Sequence, residues 1–471
     1  MTPRHPVLKT VCLLVPALAT SAVAAAGYGA EAQAAQAVSP DPTMKRIERI
    51  VHDRVDSGRS TGIVAGMVFA DGSTRVVAYG DARNGRRLDK RSVFEIGSIT
   101  KTFTATLLAE MAQRGEVRLT DPVASLLPSG VSMPSRNGRQ ITLEDLATQT
   151  SGLPVLPSNL HPKDPSNPYA DYTVEQLYEF LNGYTLTRDP GSEFEYSNLG
   201  VGLLGHALAL RAHKRYEELV RERILEPLHM ASTAITLTPE MARNFASGHN
   251  ADGTVVPPWD LPTLAGAGAL RSSITDMLSF ASANLEDDHG PLQQAMATAR
   301  APRKTIEAET QIGLNWLTLH SGDHDIVWHN GGTGGFTSFI GLDEARQTAI
   351  VLLSSSSGEG VDDIGFHALD ASLALSPSPW PKEVKLPAQV LQRYVGVYDY
   401  AGTRVTITRS PQGLTVNIPG EVPERLYAES KTKFFVKLVD AQVTFRSDSN
   451  GRVTGAAVHQ NGQTIVAKKV G

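Results

Sequence analysis

The sequence predicts an α+β fold followed by a small antiparallel β-barrel, and three observations lead to this prediction. Residues 62–80 have the pattern of two strands that turn at Asp71-Gly72, which is a strong hairpin signal. A mostly helical middle follows, and strand patterns return between residues 313 and 354. Strands on both sides of a helical segment imply an α+β domain whose sheet joins both ends of its chain. Beyond Pro387 the pattern is β alone, with Asn-Gly turns at residues 450–451 and 461–462.

The composition is that of a soluble globular protein. The chain of 471 residues could hold two or three domains, and its 41% hydrophobic and 20% charged content is ordinary. A net charge of -5 gives no case for nucleic acid or an anionic membrane surface as a partner. A proline-rich linker at residues 376–387 is the clearest boundary, and it separates a domain at 38–375 from a β domain at 388–471.

The N-terminus has the layout of a secretory signal peptide. Arg4 and Lys9 precede an apolar run that small residues follow, and cleavage could fall after Ala24 or after Ala37. We therefore assign residues 1–37 to the signal and expect a periplasmic or secreted bacterial protein, with a retained anchor as the alternative. The single cysteine, Cys12, lies inside this segment, so the mature protein would have neither a disulfide nor a thiol nucleophile.

The remaining elements are predicted from apolar spacing and from capping patterns. We expect helices over residues 44–55, 199–211 and 216–225, and a glycine-rich turn followed by a further helix within 265–285. Strands are expected over 314–316, 326–328, 336–342 and 348–353. Capping patterns at Thr142–Asp145 and Thr173–Gln176 open two more helices. Residues 154–172 are rich in Pro, Asn, Asp and Ser, and a loop of this length is usually functional or mobile.

A serine and a lysine open the most strongly patterned helix. Its apolar stripe recurs every fourth residue, at Ile99, Phe103, Leu107 and Met111. The helix should begin at Ser98, with Lys101 one turn later and close enough to contact it. A hydroxyl and an amine so placed can act as nucleophile and base if burial keeps the lysine partly neutral. The spacing alone is weak evidence, because Ser430 and Lys433 repeat it in a β-like stretch.

Two later motifs raise the specificity of this pair. Tyr196-Ser197-Asn198 and His329-Asn330-Gly331 follow Ser98-Ile99-Thr100-Lys101 in the order of the three motifs of the penicillin-recognising serine hydrolases. The chain resembles the class C β-lactamase and DD-peptidase branch of that family over residues 45–375. This resemblance implies a β-lactamase/DD-peptidase-like fold, with an antiparallel sheet flanked by a helical subdomain. The flanking stretches agree, and they are LATQTSGLP at 146–154, PGSEFEYSNLG at 190–200, ILEPLHM at 224–230 and WHNGGTGGF at 328–336. The tail from residue 388 is similar to the lipocalin-like β domain that follows some of these hydrolases.

The resemblance implies a role for each motif residue. Ser98 would attack a carbonyl and form an acyl-enzyme, with Lys101 as general base and Tyr196 as general acid or base. A neighbouring ammonium would bias the Tyr196 phenol toward the phenolate. The backbone N–H groups of Ser98 and Gly332 would form the oxyanion hole. The residues implied in substrate binding are Asn198, His329, Asn330 and Gly331.

One motif departs from the family pattern, and this departure leaves the substrate open. His329 and Asn330 stand where many class C β-lactamases have Lys-Thr, which helps to hold a substrate carboxylate. Histidine is only partly charged near neutral pH, although some DD-peptidases, D-aminopeptidases and esterases of this fold also carry it.

A zinc site is a further alternative, since four possible ligands lie within ten residues: His320, Asp323, His324 and His329. Their hairpin-like surroundings and the lack of a His-Glu-x-x-His motif speak against it, so we expect no metal and no other cofactor.

Together these features predict an exported serine hydrolase that acts on β-lactams or on D-alanyl and related D-amino-acid peptides. An esterase at the same site is one alternative. A penicillin- or peptidoglycan-binding protein with weak turnover is another, and the lifetime of the acyl-enzyme would distinguish it. The expected partner is a small-molecule or peptide substrate, and the oligomeric state is left open.

Overall fold

The computed structural model describes residues 42–83, 85–286, 290–377, 381, 383–400, 403–410, 413–419, 423–436, 441–460 and 463–471. The predicted signal peptide, with Cys12, lies outside these residues, as does the expected turn at 461–462. Within the described ranges, no helix is long and apolar enough to cross a membrane.

The helices lie mostly between the first and the last strands of the larger domain. The α-helices are α1 (Pro42–Asp56), α2 (Thr100–Gln113), α3 (Leu143–Ala147), α4 (Val174–Gly183), α5 (Asn198–Ala212), α6 (Tyr216–Val220), α7 (Pro239–Asn244), α8 (Ala265–Gly268), α9 (Ile274–Leu285), α10 (Pro291–Arg300), α11 (Asp362–Leu369) and α12 (Ala388–Gln392). The 3-10 helices are Gly97–Ile99 and Val123–Leu126, and a π-helical turn spans Arg221–Leu225.

The strands fall into one large sheet, three two-stranded pairs and a barrel. The strands of the larger domain are β1 (Gly62–Val68), β2 (Thr74–Arg83), β3 (Arg86–Arg87), β4 (Val93–Glu95), β5 (Ser135–Arg136), β6 (Arg139–Gln140), β7 (Gly248–His249), β8 (Val255–Val256), β9 (Arg271–Ser273), β10 (Lys304–Glu307), β11 (Thr310–Ile312), β12 (Leu317–Ser321), β13 (His324–Gly332), β14 (Thr337–Asp343) and β15 (Thr348–Ser354). The barrel strands are β16 (Gly396–Tyr400), β17 (Thr403–Ser410), β18 (Gly413–Asn417), β19 (Glu424–Ala428), β20 (Lys433–Val436), β21 (Ala441–Ser447), β22 (Val453–Gln460) and β23 (Gln463–Lys469).

The large antiparallel sheet confirms the predicted α+β class. Among the described residues its strand order is β10-β11-β12-β13-β14-β15-β1-β2-β3, so the late strand β15 pairs with the early strand β1. The hairpin between β1 and β2 turns at Gly72, whose φ of 77° is readily adopted by glycine. β1 is buried along its whole length, because helices cover both of its faces. The sheet therefore forms the middle layer between two sets of helices.

Strand alternation divides the buried side chains into two cores, one on each face of the sheet. Ile63 and Ala65 of β1 pack with α1 and α11, whereas Val64 and Val68 pack with α2, α5 and α9. The second core surrounds α2, which is buried on nearly all of its surface. A helix that is buried all round lies in the interior of its domain, so α2 provides a rigid support for the residues at its N-terminus.

Two predicted elements differ from the structure. Residues 314–316 are not a strand, because Asn315 has a left-handed φ of 58° and its N–H donates to Ala147 O. The helix expected over residues 216–225 is α6, which continues as the π-helical turn. Apolar spacing could not show either irregularity, since both are set by contacts with residues distant in the sequence.

The C-terminal strands close into an antiparallel barrel in the order β16 to β23, which confirms the predicted small β-barrel. Its described core contains Tyr394, Phe434 and Phe445, whose rings contact one another. The second Ser-x-x-Lys pair lies just before β20, where Ser430 Oγ accepts from the Lys433 backbone N–H. The Lys433 ammonium pairs with Glu429, so this pair has a turn-forming role.

We expect the larger domain to fold without the barrel. Leu375 packs in the core of the larger domain, whereas Val384 donates its backbone N–H to Ala428 O of the barrel. A chain that ends after Pro377 should therefore unfold in a single cooperative transition and should keep a reactive Ser98 with altered substrate selectivity. Thermal unfolding and labelling by a fluorescent penicillin would measure both. A truncated chain that aggregates or unfolds without a transition would show that the two parts depend on each other.

Candidate active site

The turn that carries Ser98 is held from two sides. β4 pairs with β9 directly before the turn, and Ile96 donates its N–H to Leu270 O at 3.1 Å. On the other side, Ser338 Oγ of β14 donates to Ile96 O at 2.8 Å. Ser98 lies in the 3-10 helix and α2 begins at Thr100, so the predicted helix start is two residues early. Ser98 is partly exposed at the end of this support.

Lys101 is fully buried, at 0% exposure, and its amine has three polar neighbours. Nζ lies 2.9 Å from Ser98 Oγ, 2.8 Å from Asn198 Oδ1 and 2.6 Å from Ala267 O. Burial holds the pKa of Lys101 well below its usual value, because the charged form loses its hydration. In its neutral form the amine has two N–H groups, which Asn198 Oδ1 and Ala267 O can accept. Its lone pair is then available to the Ser98 hydroxyl.

The Tyr196-Ser197-Asn198 motif leads directly into α5. Ser197 caps the helix by accepting from the Gly200 N–H, and its own N–H donates to Gln149 Oε1 at 2.7 Å. Asn198 is the first residue of α5, so its side chain is fixed by the start of the helix. The Tyr196 hydroxyl is within hydrogen-bonding reach of Ser98. The cap therefore places the Asn198 side chain against Lys101 and the Tyr196 hydroxyl near Ser98.

The electrostatics of Tyr196 differ from the expected bias toward a phenolate. Lys101 Nζ lies 4.8 Å from the centre of the tyrosine ring. However, burial is the dominant influence and raises the pKa of Tyr196 above its usual value. The expected effect requires an ammonium, and burial disfavours the charged form of Lys101. Tyr196 is therefore protonated before any reaction and can donate a proton.

His329 and Asn330 point to opposite faces of the sheet. Val327 and Ile340, the register partner of His329, belong to the core around α2, so His329 faces Ser98 and lies 6.4 Å from the Tyr196 ring centre. Asn330 faces the other core, and its Nδ2 donates to Asp362 Oδ2 at 2.7 Å. Strand alternation therefore turns the Asn330 side chain toward α11, and a role of Asn330 in substrate binding stays a prediction.

His329 is uncharged near neutral pH. It is 2% exposed, and its Nδ1 lies 2.5 Å from Asn330 O. Burial lowers the pKa of His329 to about 3, and a positive charge on the adjacent Lys101 would act in the same direction. The sequence had suggested a partly charged histidine. The buried ring can contribute hydrogen bonding and shape to the site but no positive charge for a substrate carboxylate.

Asp362 lies behind the active-site strand, and we predict that it makes stability depend on pH. Burial raises its pKa from 3.8 to about 6, with Asp363 adding to the effect. Between these values the unfolded chain releases the proton first, so the free energy of unfolding falls as pH rises from about 4 to 6. Asp362→Asn should therefore stabilise the protein relative to wild type above pH 6, and the difference should vanish below pH 4. Denaturant unfolding at several pH values would measure it, and a constant difference would contradict the assignment.

Glycines let β13 approach the Ser98 turn closely. A Cβ at Gly331 would overlap Ile96 O and Ser338 Oγ and would lie 3.0 Å from Ser98 N. A Cβ at Gly97 would lie 2.7 Å from Gly332 N. At Gly332 itself no atom lies within 4 Å of the Cβ position. The N–H groups that open a helix have no intrahelical acceptor, so the backbones of Ser98 and Gly332 adjoin an open space that a substrate oxygen could occupy.

Three neighbours of this site were not identified from the sequence. Tyr169 belongs to the long loop over residues 154–172, is 7% exposed and lies close enough to Asn198 for that side chain to lower the pKa of Tyr169. Trp259 packs edge-on against Tyr169, with ring centres 5.4 Å apart, and borders Gly334. The third is the backbone oxygen of Ala267 on Lys101. The polar composition of the long loop marked it as functional, but neither Trp259 nor a backbone oxygen carries a recognisable sequence signal.

Comparison with known families agrees with this geometry. The family model described as Beta-lactamase matches residues 47–374, and a model described as Domain of unknown function (DUF3471) matches residues 381–469. The first match covers more than half of the chain. The chain therefore belongs to the β-lactamase family, and it is a serine hydrolase.

Individual relatives are similar at modest identity. D-alanyl-D-alanine-carboxypeptidase/endopeptidase AmpH of Escherichia coli (strain K12) is 30% identical over 340 residues, which cover 68% of this chain and 86% of the relative. A β-lactamase of Pseudomonas fluorescens is 25% identical over 350 residues, which cover 66% and 94%. The crystal structure of a β-lactamase/D-alanine carboxypeptidase from Pseudomonas syringae matches this protein with a TM-score of 0.61 at 22% identity. The match covers 71% of this chain and 99% of the chain in the crystal structure. This last similarity supports the fold alone.

Proposed function

We propose that this protein is an exported serine hydrolase that cleaves β-lactams or D-alanyl and related D-amino-acid peptides through an acyl-enzyme on Ser98. The observation that carries this proposal is the Lys101 amine, which is buried, has a pKa well below its usual value and lies 2.9 Å from the Ser98 hydroxyl. Similarity to AmpH and to a β-lactamase supports the two substrate classes. The signal-like N-terminus supports export.

Acylation uses the resting protonation states of the site. Lys101 takes the hydroxyl proton as Ser98 Oγ attacks the carbonyl carbon. The carbonyl oxygen becomes negative and accepts from the N–H groups of Ser98 and Gly332. Tyr196, which is protonated, gives its proton to the leaving amine as the C–N bond breaks. The products of this step are the ester on Ser98, a Lys101 ammonium and a Tyr196 phenolate.

Deacylation restores the starting state. The new ammonium stabilises the adjacent phenolate, so the expected electrostatic bias of Tyr196 applies at this stage. The phenolate accepts a proton from water while the water oxygen attacks the ester carbonyl. Ser98 Oγ then leaves and regains its proton from Lys101. Asn198 holds the lysine, and Gly331 and His329 complete the wall beside the substrate.

An esterase is a second candidate because of His329. The buried, uncharged ring provides no cation for a substrate carboxylate. An ester or a capped peptide has no such carboxylate, so the absence of a cation would not weaken its binding.

Intact mass spectrometry with a fluorescent penicillin, together with turnover of a D-alanyl-D-alanine peptide and a matched ester, tests the proposal. Wild type should gain an adduct or should hydrolyse a substrate, and Ser98→Ala should do neither. Ser430→Ala is the matched control, because Ser430 has the same Ser-x-x-Lys spacing but lies in the barrel. Modification of Ser98→Ala, or inert wild type with all three compounds, would contradict the proposal. A long-lived adduct without turnover would identify a binding protein instead.

A further inference from the structure

A buried carboxylate lies three residues before Ser98 and takes no part in the proposed chemistry. Glu95 is 3% exposed, and its Oε1 accepts from the Trp259 N–H at 2.8 Å and from Arg271 Nη2 at 3.5 Å. Arg271 is 7% exposed and also donates to Trp259 O and to Asp260 Oδ1. The carboxylate thus joins the strand before the nucleophile to the loop that carries Trp259.

The same carboxylate adjoins the end of β13. Thr333, which directly follows Gly332, lies close enough for its hydroxyl to lower the pKa of Glu95. Glu95 Oε2 and Thr333 Oγ1 are both buried, and neither has a hydrogen-bond partner of normal geometry among the described residues. A bound water, or a small shift of either side chain, would join the two atoms.

We propose that Glu95 is a positioning residue that fixes the separation of the two oxyanion-hole N–H groups, on Ser98 and Gly332, and the place of the Trp259 loop. This inference rests on the proposed function of the site. The two N–H groups belong to different elements, so their separation depends on contacts between those elements. An oxyanion hole requires donors at fixed positions, since they stabilise charge only if they do not have to move during the reaction.

Stability alone does not account for this arrangement. Burial raises the pKa of Glu95, and Arg271 opposes this effect only in part. A buried ion pair is often no more stabilising than apolar side chains of the same volume. The benefit of keeping a charged network here is a defined geometry among three chain segments.

Two variants and a control test the proposal in the full-length protein. Glu95→Gln keeps the shape but removes the charge, and Thr333→Val removes only the hydroxyl beside Glu95. Asp276→Asn is the control, because Asp276 is also buried and has a raised pKa, but its carboxylate accepts from the Ser232 N–H and the Thr233 hydroxyl. Affinity for a boronic acid that forms a tetrahedral adduct on Ser98 reports on the oxyanion hole, and hydrogen exchange at residues 96–98 and 331–333 reports on its rigidity.

Glu95→Gln should weaken boronic acid binding and lower kcat by about tenfold or more with little change in KM. Thr333→Val should weaken boronic acid binding and lower kcat by a smaller factor. Hydrogen exchange at residues 96–98 and 331–333 should accelerate in both variants. Asp276→Asn should change neither activity nor exchange there. Wild-type values for a folded Glu95→Gln, or an equal loss in Asp276→Asn, would overturn the proposal. If wild type neither binds the boronic acid nor acylates, the proposed function fails. The positioning role of Glu95 is tested separately by hydrogen exchange, and unchanged exchange in Glu95→Gln would overturn it.

Discussion

Lys101→Met should lower the acylation rate by about a thousandfold, because the substitution removes the group that accepts the Ser98 proton. Methionine has nearly the same length and fills the same buried space. Single-turnover kinetics with a fluorescent penicillin, or with whichever substrate wild type hydrolyses, would measure the loss. Lys101→Arg should not restore the rate, since a guanidinium stays protonated and cannot accept a proton.

The second Ser-x-x-Lys pair supplies the matched control for this prediction. Lys433 has the same spacing from Ser430, but its ammonium is partly exposed and pairs with Glu429. Lys433→Met should leave acylation unchanged. A Lys101→Met protein that folds and acylates like wild type would remove Lys101 from the mechanism.

The stability of the same variant should reveal the buried neutral amine. Lys101 binds a proton in the unfolded chain at neutral pH, whereas burial lowers its pKa in the folded protein. The unfolded state therefore binds more protons, and the free energy of unfolding that Lys101 contributes rises with pH toward about 10. Relative to Lys101→Met, wild type should become steadily more stable as pH increases from 7 to 10. A difference that does not vary with pH would mean that the folded lysine is charged.

The sequence predicted most of the fold because the strong signals are local. The hairpin at Gly72, the stripe of α2 and the capping pattern at Thr142 all depend on residues within one or two turns, and the structure has each of them. The order of strands, helices and strands was enough to predict a sheet that joins both ends of the domain. The motifs also indicated which residues are neighbours, since the Lys101 amine is hydrogen-bonded to Ser98 and to Asn198.

Features that depend on the orientation of a strand or on distant contacts were beyond sequence reasoning. A motif pattern treats His329 and Asn330 alike, yet alternation along β13 sends them to opposite cores. The resting Tyr196 was expected to favour the phenolate because its neighbour was taken as charged. Burial of the lysine depends on how α2, α5 and α8 pack together, and it reverses that expectation.

Gly331→Ala should lower kcat by about a hundredfold or more, because the added Cβ cannot fit between β13 and the Ser98 turn. The methyl group would overlap Ile96 O and the Ser338 hydroxyl that donates to the same oxygen. β13 or the turn must then move, and the two oxyanion-hole N–H groups would no longer face one position. The overlap involves backbone, so rotation of a side chain cannot relieve it.

The kinetic result should separate this displacement from a general loss of stability. Gly183→Ala is the matched control, since a Cβ there meets no atom within 4 Å and Gly183 is the exposed last residue of α4. Both variants should be assayed for thermal unfolding, for kcat and KM, and for boronic acid affinity. Gly331→Ala should lose boronic acid affinity and kcat together while the folded fraction stays high at the assay temperature. Activity close to that of Gly183→Ala would show that β13 does not hold the Ser98 turn in place, and the Gly332 N–H would then have no defined position in the oxyanion hole.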